Sequence, residues 1–161
     1  MYDYILVVVD MQPNFVVNPR TIAAVKREVE TARRKDLPII VLEIPYHRLE
    51  PDKPYPRTYK SIMKLLAGYD KAHVVHKLTE GGSVKLLRKC EAMGYQTSLY
   101  RVCGVKTDLC VLQTVKGLLK RTKASIEVVK GACDTIKRYR RFCWVKYPVG
   151  KRLRLVDKEA A

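Results

Sequence analysis

The chain is short of acid and of histidine, and none of its cysteines are closely paired. Sixteen Asp and Glu stand against 32 Lys and Arg among 161 residues, a formal net charge of +16. That imbalance leaves two readings open: an anionic partner (nucleic acid, an acidic substrate or an anionic surface), or a solubility trait of a basic proteome. The five cysteines include no C-x-x-C pair. An odd count without a secretory leader argues against a disulfide framework and for reduced thiols in a cytoplasm. The three histidines, His47, His73 and His76, lack a ligand-like spacing, so no metal and no cofactor are expected. No run reaches the roughly eighteen apolar residues of a membrane span. The N-terminus opens as an apolar strand with an early acid and has no basic leader, and no internal repeat is visible.

What is present is an alternation of apolar runs and amphipathic stretches. At this length it reads as one domain, residues 1–161, large enough for a proper core. Residues 4–9 are a continuous apolar run, as in a strand buried on both faces of a parallel sheet. Residues 19–35 read as a helix with Ile22, Val25, Val29 and Ala32 inward. Further strands are expected at 37–44, 72–75, 97–103, 125–129 and 152–156. Helices are expected at 83–93 (capped by Ser83, with Val84, Leu87 and Cys90 inward), 107–120 and 134–144. Strand alternating with helix predicts an α/β fold with right-handed crossovers. Residues 46–69, with several prolines and tyrosines, read as a long loop and a short helix at 58–66. That segment is either a substrate-covering lid or ordinary surface packing.

The chemistry is expected in Val102 to Thr114, VCGVKTDLCVLQT. A strand ends, the chain turns at Gly104, and a helix begins with Cys110 in its first turn. Thr107 and Asp108 are both suited to cap that helix. A cysteine there meets the positive end of the helix dipole, which lowers a thiol pKa. The bland alternative is a small buried hydrophobe. Asp10 ends the first strand and Lys77 ends the third, and in parallel sheets ligand sites collect beyond such ends.

Three motifs carry a resemblance: V-V-D-M-Q-x-x-F around Asp10, V-V-H-K at Lys77, and G-V-x-T-D-x-C-V-x-x-T from Gly104 to Thr114. In this order they resemble the isochorismatase-like cysteine hydrolases, a superfamily that includes nicotinamidases and N-carbamoylsarcosine amidase. The resemblance implies a three-layer α/β/α sandwich with a six-stranded, mainly parallel sheet, in which the first and fourth expected strands are neighbours. It implies Cys110 as nucleophile, Asp10 as base and Lys77 as its assistant. It also implies an oxyanion hole from the backbone N–H groups of Lys106 and Cys110, with a cis peptide at Val105–Lys106. Gln12, Phe15, Tyr46 and Thr107 are the candidate substrate contacts.

The pattern also departs from that superfamily. Where nicotinamidases carry an Asp-x-His metal pair, this chain reads Leu42-Glu43-Ile44-Pro45-Tyr46-His47. Isochorismatase itself lacks the nucleophilic cysteine, so Cys110 points to amide or ureido hydrolysis. The usual aromatic segment after the lysine is replaced by Thr79-Glu80-Gly81-Gly82. The expectation is therefore a metal-independent amidohydrolase acting on a small-molecule amide, with no membrane partner, as a homo-oligomer like the proteins it resembles. The rival is a catalytically weak or inactive relative whose basic surface, the C-terminal segment 137–161 included, binds nucleic acid or an acidic protein. A third possibility is a redox sensor pairing Cys110 with Cys103.

Overall fold

The computed structural model describes residues 1–15 and 18–157. In chain order its elements are β1 (Ile5–Val9), α1 (Pro19–Arg34), β2 (Ile39–Glu43), β3 (Tyr46–His47), β4 (Glu50–Pro54) and α2 (Lys60–Leu66). There follow β5 (Ala72–His76), α3 (Ser83–Ala92), β6 (Leu99–Val105), α4 (Leu112–Arg121), β7 (Ser125–Asp134) and β8 (Leu153–Val156). Six strands form one sheet in the order β5-β2-β1-β6-β7-β8. Every pairing in it is parallel.

The central strand explains the layers. All five residues of β1 are fully buried, and their two-residue alternation divides them between two cores. Ile5, Val7 and Val9 join Leu86 of α3 and Leu112, Val115 and Leu118 of α4 on one face. Leu6 and Val8 join Val25 and Val29 of α1 and Ile62 of α2 on the other. Helix α1 starts where Asn18 Oδ1 accepts the Arg20 N–H at 2.9 Å, with Pro19 just inside. This is the expected three-layer α/β/α sandwich, with strands β1 and β6 adjacent.

The chain runs outward from β1 to β2 and β5 in one direction, and from β6 to β7 and β8 in the other. The crevice where the direction reverses therefore lies between β1 and β6, at their C-terminal ends.

Several local expectations are corrected. Within 46–69 the chain forms a hairpin, β3 against β4, before helix α2. Its second strand, EPDKP, is fully exposed, and prolines are tolerated there because an edge strand leaves N–H positions unpaired. Ser83 does not cap α3: Gly82 holds that position, while Ser83 is buried and Val84 is exposed. Leu86 takes the inward place expected of Val84. The expected last helix at 134–144 is only a short 3-10 turn, Lys137–Tyr139, followed by further turns, and β7 runs on to Asp134. In the basic segment, Arg140 pairs with Asp134 and Arg154 with Glu127, and Arg152 donates to the carbonyls of Leu119 and Thr122. Residues 158–161 of that segment lie outside the described residues.

Candidate active site

Asp10 follows β1 directly and has φ 49°, a left-handed conformation that Asp accepts more readily than most residues. Its Oδ2 receives Lys77 Nζ at 2.8 Å, and both side chains are 1% exposed. Lys77 follows β5, and its ammonium also donates to the carbonyls of Thr79 and Glu80, each at 3.0 Å. Three acceptors thus use all three of its N–H bonds. Gly82 makes room for this lysine: a Cβ there would meet Leu42 Cδ1 at 2.3 Å and Lys77 Cδ at 3.1 Å.

Cys110 arrives from β6 by a different route from the one expected. The strand does not turn at Gly104 but runs on to Val105. Gly104 has φ 121°, and a Cβ would lie 2.1 Å from Val9 O, so glycine lets β6 press against the end of β1. The Val105–Lys106 peptide is cis. Residues Thr107–Val111 then form a single π turn before α4, closed by the N–H groups of Leu109 and Val111 on Lys106 O at 3.1 and 3.2 Å. Neither expected cap operates, since the turn has no side-chain cap. Asp108 Oδ1 instead accepts from the Thr135 hydroxyl. Thr107 is buried and lies beside Cys143.

The dipole argument for a low cysteine pKa also fails. Burial, reinforced by the negative charge of Asp10, pushes the Cys110 thiol up to about 12, with Lys77 opposing. Desolvation outweighs any help from the dipole of the helical run that begins here. Burial also raises Asp10, and Lys77 again opposes. Asp10 Oδ1 is buried with no hydrogen bond of good geometry. The neighbouring Cys110 thiol, which interacts with this carboxyl as a donor, is the group placed to use it.

The other candidates divide. Gln12 is buried, and its amide is occupied by backbone: Nε2 donates to Ile44 O and Pro56 O, and Oε1 accepts from Ile44 N, all at 2.8 Å. It ties Pro56 to the segment after β2. Phe15 and Tyr46 line a cleft of about 880 Å³ with Tyr55, Leu78, Glu80 and Gln113 among others. Asp10, Lys77 and Cys110 are not in that lining. Instead the cleft abuts them, because Thr79 and Glu80 hold Lys77 and Gln113 lies one turn beyond Cys110.

Sequence reasoning missed two residues. Glu43, at the end of β2, is 1% exposed and accepts from Thr58 N and Arg57 Nε, both at 2.9 Å, with His76 at 3.2 Å. Burial acts to raise its pKa, but the Thr58 N–H and the Arg57 guanidinium outweigh it and hold the carboxyl below its ordinary value. A lone acid where relatives carry a metal pair was the available signal. His73 meets Tyr95 at 2.9 Å, and among the described residues no group of three His, Cys, Asp or Glu could hold a metal. The second is Tyr147, whose hydroxyl donates to Thr107 O at 2.6 Å from forty residues away. Nothing in the sequence pairs the two. Tyr147→Phe removes this buried hydrogen bond and is expected to cost about 0.5–1.5 kcal/mol of stability. In steady-state kinetics kcat should fall more than KM rises. An unchanged kcat would show that the tyrosine does not position the cysteine turn.

Cys103 belongs to the core on the α1 face, with its Sγ toward Val7 O at 3.7 Å, whereas Cys110 packs on the opposite face. The sheet separates the two sulfurs, which removes the redox pairing.

An α/β/α sandwich with an acid, a lysine and a cysteine gathered at the β1/β6 switch defines the class. The family model described as Isochorismatase domain matches residues 4–143, and the chain belongs to that family. Among solved structures, N-carbamoylsarcosine amidase from Thermoplasma acidophilum is 20% identical with a TM-score of 0.73, covering 99% of this chain and 100% of that one. A nicotinamidase/pyrazinamidase from Bacillus subtilis is 11% identical with a TM-score of 0.80, covering 97% and 100%. The MAR1 ribonuclease from Caenorhabditis elegans is 24% identical with a TM-score of 0.73, covering 89% and 71%. These likenesses establish the fold. No curated protein matches the chain.

Proposed function

We propose that the protein is a hydrolase that cleaves a small amide or ureido C–N bond through a Cys110 thioester. The observation that carries this reading is the buried Asp10–Lys77 pair, whose one unsatisfied oxygen adjoins the Cys110 thiol. Two structural relatives are an N-carbamoylsarcosine amidase and a nicotinamidase, which is consistent with it.

The proton inventory decides the order of events. A thiol raised to about 12 is protonated at neutral pH, so attack requires a base in contact with it. Asp10 takes the thiol proton as Sγ bonds to the carbonyl carbon, and Lys77 offsets the carboxylate charge from its other side. The backbone N–H groups of Lys106 and Cys110 receive the oxyanion. Asp10 passes the proton to the leaving nitrogen as the C–N bond breaks, releasing ammonia or an amine and leaving the thioester. Water then gives a proton to Asp10 while its oxygen attacks the thioester. The C–S bond breaks, the acid leaves, and the proton returns to sulfur.

The direct test is intact-protein mass spectrometry after incubation with a mixed panel of small amides, followed by peptide mapping. An acyl adduct confined to Cys110 is the expected result. Adducts elsewhere, or none with any amide under acid quench, would count against the thioester.

A pH profile follows from the same groups. Asp10 must be ionised to act as base, and its pKa is raised above the ordinary 3.8. Activity should therefore rise with pH through that raised value, placing the acid limb of kcat/KM above pH 3.8. A limb at or below an ordinary aspartate's position would remove Asp10 from the role.

A further inference from the structure

The cleft beside the trio carries charge that the hydrolytic steps do not use. Its volume of about 880 Å³ is at the upper end of the roughly 300–1,000 Å³ typical of sites for drug-sized ligands. That is far more room than a bare carboxamide needs. One wall is the β3–β4 hairpin, with Tyr46, His47 and Arg48, together with Tyr55. The facing wall is α4 with Gln113, Lys116, Lys120 and Arg121, and the turn at Thr79–Gly81 lies between them.

The charges in this lining are one-sided. Arg48, Lys116, Lys120 and Arg121 face a single acid, Glu80. None of the four cations has a carboxylate partner among the described residues, whereas Arg57, Arg101, Arg140 and Arg154 all do. Arg121 is the least available, because its guanidinium folds back onto Gly117 O at 3.3 Å. Lys116 and Lys120 are exposed. Unpaired lysines are common on a chain of charge +16, but these converge from two elements on one concavity. A cleft with low-dielectric walls focuses the field of such charges and concentrates anions within it.

The spacing adds a length. Gln113, Lys116 and Lys120 recur at three- and four-residue intervals, which aligns them in one row along α4. At 1.5 Å per residue, Lys116 and Lys120 lie roughly 9–15 Å along the chain axis beyond Cys110. The opposite wall is aromatic, with Phe15 and Tyr55 in edge contact at 5.8 Å between ring centroids. A ligand extending from the sulfur along this row meets lysines on one side and, on the other, aromatic rings with Arg48 beside them.

We infer that the cleft reads an anionic group on the substrate. The substrate is then an amide or ureide bearing a phosphate or carboxylate on the order of 10 Å from the scissile carbonyl. Lys116 and Lys120 of α4 and Arg48 of the hairpin hold the anion, and the reactive carbonyl points to Cys110. This inference rests on the cysteine-hydrolase reading for the identity of the scissile bond, but the anion site itself does not.

The first test needs no turnover. Inorganic pyrophosphate is titrated into the isotope-labelled protein at low salt, and backbone amide shifts are followed by NMR. Saturable shifts grouped at Arg48, Gln113, Lys116 and Lys120 are expected, with apparent affinity reduced about tenfold or more in Lys116→Ala/Lys120→Ala. The charge-matched control is Arg27→Ala/Lys35→Ala, on α1 and at its C-cap in the opposite layer, which should retain the wild-type titration. Shifts scattered over the basic surface, or equal weakening in both double variants, would overturn the site.

The second test compares ammonia release from hexanamide and from its omega-phosphorylated counterpart. The phosphorylated amide should be favoured in kcat/KM by about tenfold or more, and added salt should erase the preference. Localised pyrophosphate binding with neither amide hydrolysed would uphold the anion site and count against the hydrolase. Equal hydrolysis of both amides with no localised binding would do the reverse.

Discussion

Cys110→Ala should abolish turnover while leaving the fold intact. The substitution removes the only atom proposed to form a covalent bond with substrate. Knocking out the nucleophile of a catalytic unit costs on the order of 10⁴-fold or more in kcat. Asp10 can still activate water, as it does in thioester hydrolysis, but without the sulfur there is no thioester for that water to attack. Ammonia release measured on a substrate found by adduct trapping should thus drop to background, with circular dichroism unchanged. Residual turnover within tenfold of the parent would remove the thioester from the mechanism. Residual turnover that persists while Asp10→Asn kills activity would point to general-base hydrolysis without a covalent intermediate.

The second large effect concerns stability. Asp10 and Lys77 form an ion pair with both members 1% exposed. Removing one partner of such a pair typically costs about 3–5 kcal/mol, because the survivor remains buried without its counter-charge. Asp10→Asn and Lys77→Met should each show this loss in urea unfolding. The double variant, which buries no uncompensated charge, should be less destabilised than the sum of the two. Part of the loss will remain, because the carbonyls of Thr79 and Glu80 lose their donor. Additivity to within about 0.5 kcal/mol would mean that the pair does not couple, and the proposed role of Lys77 in offsetting Asp10 would fall with it.

The sequence made the frame of this site legible because strands buried on both faces leave an unmistakable trace. ILVVV before Asp10 and IIVLE before the hairpin read as sheet interior, and both are. The order acid, lysine, cysteine was also readable, since each residue follows a strand end, and parallel strands bring their ends together. Electrostatics was not readable in the same way. The pKa of Cys110 depends on how deeply the π turn is buried and on the distance to Asp10, and both are tertiary properties. Local pattern favoured the dipole, and desolvation overrode it.

The hairpin escaped notice because proline normally argues against a strand, and only an exposed edge excuses it. The sequence reading places a helix at 134–144, in step with the strand–helix alternation. Yet Phe142 and Val145 are exposed while Cys143 and Tyr147 are buried, a spacing that suits a succession of turns. Glu43 carried one sequence signal, its place where a metal pair is expected, but its partners, Thr58 and His76, come from two other parts of the chain that no local pattern joins.

The Tyr147 hydroxyl has a consequence for how the molecule is made. During translation the residues of the trio are all synthesised before the tyrosine that braces their turn, which follows Thr107 by forty positions. A ribosome that has already delivered Asp10, Lys77 and Cys110 therefore holds a chain whose nucleophile is not yet fixed in place. A product terminated prematurely between Cys110 and Tyr147 would carry every reacting group and still lack both the brace and strand β8, so its silence would come from missing structure and not from missing chemistry.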